Sequence, residues 1–299
     1  MSEHANATLV RHMLDAGFSG VGLASNGFLL GQHRERLDEL VKAGLGSLNL
    51  SLDGPAEYHN ALRRHPKAYD LAISALVHAL RFYSEVLEVV VTISVSPGNF
   101  QTYPIILELL EQLGVPYVKI VAVMPYGEAE HAADLGLSDE QFVQLLENAT
   151  RIRRCFDAGE TPMRVSMTDD GFLGCFEGAS RDGFLNCPAG VDTAAILQDG
   201  RLSACAQMTQ PFSVAGDLRS ESFASLWKDG FREFRNRRWL HKGMCSRCVE
   251  WRYCQGGSMH DRAADGTPLR CNALRVRRAL EARARAAAGP KRVPRATAR

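Results

Sequence analysis

Residues 34–54 read RERLDELVKAGLGSLNLSLDG, and the order of elements in that stretch decides the fold. Leu37, Leu40 and Val41 fall on one face of a helix over 34–43, Gly44 stops it, and SLNLSL (47–52) follows as a strand. The same unit recurs on both sides. Upstream, Leu9, Val10, Met13 and Leu14 share a helical face over 7–16, Gly17 ends the helix, and GVGLAS (20–25) reads as a buried strand. Downstream, a helix over 68–82 precedes VVVTISV (89–95), and a helix over 103–113 leads past Gly114 into YVKIVAV (117–123). Four apolar strands, each separated from the next by a helix, predict parallel pairing with right-handed crossovers. The fold class is therefore α/β, either barrel-like or doubly wound. In both, chemistry gathers in the loops after the strands, here SNG (25–27), SLDG (51–54), SPGN (96–99) and MPYGEA (124–129).

A further helix over 138–155 opens with a capping box of Ser138 and Gln141. Past residue 160 the repeating unit stops, strands shorten, and glycines and cysteines accumulate. The expected division is an α/β region over 1–160, a cysteine-rich region over 161–275 and a basic disordered tail over 276–299. That tail, from Arg275 onward, holds nine Lys/Arg against one acid, Glu281, although the whole chain carries only +1. No stacking aromatics interleave its charges, so it reads as a solvated segment and no nucleic-acid partner is expected. No run of about 18 apolar residues is present and the first residues, MSEHANATLV, lack a signal peptide's apolar stretch. A cytoplasmic location with no membrane contact is expected.

Eight cysteines are many for a chain in a reducing compartment, where clustering points to metal ligation before disulfides. Cys245, Cys248, Cys254 and Cys271 are spaced C-x2-C-x5-C-x16-C, a set of soft thiolate ligands able to close a tetrahedral zinc site or anchor a cubane iron–sulfur cluster. Spacing alone leaves both open. A looser set is Cys187 and Cys205, with Gly200 between them and Cys175 upstream.

These motifs together resemble those of radical S-adenosylmethionine (SAM) enzymes that carry a C-terminal SPASM domain. C-x12-G-x4-C (Cys187, Gly200, Cys205), C-x2-C-x5-C-x3-Ser (Cys245 to Ser258) and Cys271 follow the SPASM pattern. DGRLSAC (199–205) and GDLRSESFASLW (216–227) fit between them. SNG, SLDGPAEYHNALR (51–63), the strand ending at Ser96 and MPYGEA occur in the order of that family's barrel. The resemblance spans residues 5 to 275. It implies a partial (β/α) barrel lacking its first strands, followed by the small iron–sulfur domain.

By this resemblance Cys245, Cys248, Cys254 and Cys271 hold one auxiliary [4Fe-4S] cluster, and Cys187 and Cys205 belong to a second whose last ligand falls at Ser258. Serine is a poor substitute for thiolate, so that cluster is either absent or uses Cys175 and leaves one iron open. Haem-pathway relatives show the same Gly-Gly-Ser. SAM would contact Ser51 at its ribose and Arg63 at its carboxylate, with Asn26 and Ser96 in the neighbouring loops; a guanidinium fork suits a carboxylate. No C-x3-C-x2-C triplet for the SAM-cleaving cluster occurs. The resemblance places that triplet ahead of residue 1, which a misplaced start, a truncated gene, a split enzyme or a degenerate partner protein would each explain. The implied activity is oxidation or crosslinking of a peptide or protein side chain through a 5′-deoxyadenosyl radical, with ferredoxin or flavodoxin as reductant. The alternatives are a haem-precursor or other small-molecule enzyme, and a non-catalytic cluster- or zinc-bearing module.

Overall fold

A computed structural model describes residues 5–124, 135–168 and 171–288. Most of the loop MPYGEA and residues 169–170 lie outside the described residues. The chain forms two compact units, Met1–Thr168 with Ala179–Asp182, and Asp169–Gly178 with Gly183–Arg299.

The first unit is built on five parallel strands, β1 (Gly22–Ser25), β2 (Ser47–Ser51), β3 (Glu88–Val95), β4 (Tyr117–Ala122) and β5 (Arg164–Met167), paired in sequence order. Doubly wound sheets reverse their strand order at a switch point. An uninterrupted 1-2-3-4-5 order settles the architecture on the barrel side. Between the strands run α1 (Ala5–Asp15), α2 (Phe28–Gln32), α3 (Glu35–Lys42), α4 (Ala56–Leu62), α5 (Ala68–Tyr83), α6 (Tyr103–Gln112) and α7 (Asp139–Asp157). Leu48, Leu50, Val91, Ile93, Val118 and Ile120 are buried in the sheet, and Leu37, Leu76, Ile106, Leu110 and Phe142 cover it from the helices. Ser138 caps α7 with the reciprocal Gln141 bonds that the sequence predicts.

Two short helices, α2 and α4, and strand β5 go beyond the sequence reading. β5 is four residues, RVSM, too short for a period to register, yet Val118↔Val165 and Ile120↔Met167 pair it into the sheet. The α/β unit therefore extends to Thr168 rather than 160.

The second unit contains one small antiparallel sheet of β6 (Ala195–Ile196), β7 (Arg201–Ser203) and β8 (Val214–Asp217). Helices α8 (Phe223–Gly230), α9 (Arg232–Arg235), α10 (Trp251–Cys254) and α11 (Asn272–Ala287) and several 3₁₀ turns complete it. Its core gathers Leu202, Met208, Leu226, Phe231, Phe234, Leu240 and Met259. α11 corrects the expected tail: residues 276–287 are helical, and Ala273, Val276 and Ala279 are buried along one face at helical spacing. Arginine is a good helix former, so a basic run with apolar residues at that spacing folds. Among the described residues no helix is long and apolar enough to cross a membrane.

Candidate metal centre and strand-end pocket

Cys245, Cys248, Cys254 and Cys271, drawn from a 3₁₀ turn, the end of α10 and the residue before α11, all line one cavity of about 50 Å³. The chain reverses after Cys254 through three consecutive left-handed residues, Gln255 (φ 43°), Gly256 (φ 95°) and Gly257 (φ 69°). The Gly257 N–H donates to the Cys254 carbonyl at 2.7 Å, closing the turn. Two of the three being glycine removes most of the steric cost of that path. Burial pushes the Cys254 thiol up to about 11, with the Cys271 and Cys245 thiols nearby adding to it, and burial pushes Cys271 up as well. Protons therefore stay on these two sulfurs until a metal displaces them, and loading releases protons.

Arg262 is buried beside them and directs an Nη at Cys245 Sγ, 3.4 Å away. Among the described residues no group of three or more His, Cys, Asp or Glu side chains is close enough to hold a single metal ion. Cys187 sits in the apolar core of the second unit and Cys205 packs against it, with Gly200 in the β6–β7 turn between them. Cys175 is exposed, in a turn over Gly174–Phe176. Ser258 is buried in the wall of the four-cysteine cavity. None of the eight cysteines is in a disulfide.

In the first unit, parallel register carries the loops after β1, β2 and β3 to one end of the sheet, with Ser25 opposite Leu50 and Ser51 opposite Thr92. Asn26 Oδ1 accepts from the Phe28 N–H at 3.1 Å and turns the chain into α2 through Gly27 (φ 80°). Arg63 follows α4 and clamps Asp53 Oδ2 with Nη2 at 2.5 Å and Nε at 3.0 Å. Ser96 Oγ meets the Tyr58 hydroxyl at 2.8 Å.

Asp53 is the hub that the sequence reading passed over. Its Oδ1 accepts from the Ser94 N–H at 3.0 Å, its N–H donates to His59 Nδ1 at 3.1 Å, and its carbonyl accepts from Asn99 Nδ2. Asn99 Oδ1 in turn accepts from the Ser96 N–H at 2.7 Å. Burial would raise the Asp53 carboxyl, but the His59 ring, the Arg63 guanidinium and the Ser94 N–H outweigh it and hold the group below the usual carboxylate range. The signal was in plain view, the Asp of SLDG and the Asn of SPGN. Neither residue type announces by itself that it will bridge two loops.

Fold and site define a class: a parallel-stranded α/β protein joined to a domain that presents four thiols around one cavity. Residues 187–249 match SPASM, an iron–sulfur cluster-binding domain. An AdoMet-dependent heme synthase from Oleidesulfovibrio alaskensis is 24% identical over 263 residues, which cover 83% of this chain and 65% of that protein. The chain thus spans about two thirds of that relative's length. Among solved structures, native anSMEcpe with bound AdoMet and a Kp18Cys peptide superposes with a TM-score of 0.59 at 16% identity, covering 96% of this chain and 91% of that one. Streptococcus suis SuiB bound to its precursor peptide SuiA superposes with a TM-score of 0.61 at 11% identity, covering 85% and 58%. The chain is thus similar, in its SPASM segment, in its AdoMet-dependent relative and in its fold, to radical SAM proteins that carry a SPASM domain.

Proposed function

We propose that this chain forms the SAM-binding and auxiliary-cluster portion of a radical SAM enzyme acting on a peptide or protein side chain. The observation that carries the reading is the gathering of Cys245, Cys248, Cys254 and Cys271, distant in sequence, around one small cavity. Zinc draws four sulfurs to about 2.3 Å of a single point, whereas a [4Fe-4S] cluster takes one thiolate per iron and spreads them. Ser258 in the same wall supplies no thiolate, and the reading assigns one auxiliary cluster to the four cysteines there; Cys187 and Cys205 remain the proposed ligands of a second cluster, which is absent or uses Cys175.

SAM, when bound, supplies a 5′-deoxyadenosyl radical that removes a hydrogen atom from the substrate. The residues of this chain position it. Ser51 at the end of β2 offers a hydroxyl to a ribose, Asn26 and Ser96 shape the flanking loops, and Arg63 offers two guanidinium edges, one engaged by Asp53 and the other open to a carboxylate. The peptide assignment is supported by fold neighbours solved with peptides. A second reading, a tetrapyrrole substrate, is favoured by the heme synthase relative together with serine at position 258.

Anaerobic reconstitution with iron and sulfide, followed by metal analysis and EPR of the reduced protein, tests the centre. About four irons per chain and a signal lost in Cys248→Ala are expected. Stoichiometric zinc without labile sulfide would sink the reading.

A further inference from the structure

Arg262 is a buried cation, and among the described residues no carboxylate pairs with it. Its side chain lies in the second unit with 5% of the residue exposed. Nε donates to the Gly256 carbonyl at 2.7 Å, Nη1 donates to the Gly266 carbonyl at 2.6 Å, and Nη2 points at Cys245 Sγ at 3.4 Å. The acid beside it in sequence, Asp261, pairs instead with Arg270. A guanidinium removed from water is strongly disfavoured unless an anion compensates it, and neutral carbonyls only orient it. The remaining partner on its third edge is sulfur.

The backbone is shaped to permit this placement. Gly256 and Gly266 both adopt left-handed conformations that turn their carbonyls toward the guanidinium. A Cβ on Gly256 would stand 3.1 Å from Arg262 Nη2 and 3.2 Å from Cζ. The glycine therefore leaves room for the arginine as well as allowing the turn.

We propose that Arg262 is a positioning and potential-setting residue for the cluster bound by Cys245, Cys248, Cys254 and Cys271, acting through a charge-assisted hydrogen bond to the Cys245 thiolate. This rests on the cluster reading above. One-electron reduction adds a negative charge to the cluster and leaves its four thiolate bonds in place. A fixed positive charge and an N–H donor on one ligand sulfur stabilise the reduced form more than the oxidised one, which raises the reduction potential. In return the anionic centre supplies the counter-charge that Arg262 lacks.

The test is an EPR-monitored redox titration of the reconstituted full chain, with dithionite as electron donor, on wild type, Arg262→Gln and Arg262→Lys. Arg262→Gln keeps a donor but loses the charge, and its cluster should be at least tenfold harder to reduce, a fall of 59 mV for one electron. Arg262→Lys keeps the charge and loses the fork, and should stay within about threefold of wild type, a rescue that carbonyl bridging alone would not give. A fully loaded Arg262→Gln protein with an unchanged midpoint overturns the proposal, as do equal shifts in both variants. Should Arg262→Gln fail to load, Gly256→Ala decides, because it keeps the arginine and crowds it off the sulfur. A lower midpoint in that variant supports the proposal and an unchanged one overturns it. Zinc without sulfide in wild type removes both this role and the cluster reading, and that failure shows in the metal analysis before any variant is compared.

Discussion

The two units of this molecule reach order by different means. In the first, a ladder of parallel strands and interleaved helices buries leucine, valine and isoleucine side chains. In the second, strands of two to four residues and 3₁₀ turns are bridged by side chains. Arg237 donates to the carbonyls of Phe234, Gly257 and Cys187, and Arg262 to those of Gly256 and Gly266. The second unit relies on arginine bridges and on whatever its thiols bind.

That contrast is open to direct attack. The largest effect is expected from stripping the metal. Structural metal sites in small domains contribute roughly 10 kcal/mol or more of folding free energy. Chelation of the loaded protein should open residues 171–288 to protease while 5–124 stay protected, as read by limited proteolysis and mass spectrometry. Equal protection of both regions before and after chelation would erase the distinction.

Next comes Asp53→Ala, the polar hub of the sheet-based unit, which leaves Arg63 and the Ser94 N–H without their partner. A loss of about 4 kcal/mol in urea unfolding is expected. Because the folded Asp53 carboxyl is held below its ordinary value, its stabilising contribution is complete above the unfolded carboxylate pKa, near 4. It fades as pH falls through the lower folded value. Asp53→Asn should therefore flatten the acid limb of the stability profile, and an unaltered limb would assign acid sensitivity to other groups.

Smaller effects sharpen the picture within the first unit. At Gly27 (φ 80°) an added Cβ would stand 2.8 Å from the Ala72 Cα, so Gly27→Ala should cost about 2 to 3 kcal/mol. Gly159 (φ 74°) faces open space, and Gly159→Ala should cost only about 1 kcal/mol of backbone strain. Ser138→Ala, which removes the cap of α7, should cost about 1 kcal/mol in the same denaturation assay.

What the sequence made legible follows the same divide. SLNLSL, VVVTISV and YVKIVAV are long, apolar runs bounded by glycine, and they fold as the strands they resemble. RVSM has the same role but too few residues to declare it. The four cysteines that local spacing groups as candidate ligands line one cavity. Asp53, Asn99 and Arg262 were not legible, since their roles depend on partners forty or more residues away or on burial that the residue type argues against. The basic run after Arg275 read as solvated because its charge outweighed three buried residues, Ala273, Val276 and Ala279.

The walls of the thiol cavity come from residues 171–172 and 244–273, all within the second unit. On the ribosome those residues emerge after every strand of the parallel sheet has been made. The sheet-based unit has its whole sequence in hand, and time to fold, before the last cysteine leaves the exit tunnel. On the proposed reading, delivery of iron and sulfide to these thiols is a late event in the birth of the molecule. Starving cells of iron should accumulate chains whose first unit is finished and whose second is still soft, a substrate that quality-control proteases would trim from the C-terminal side.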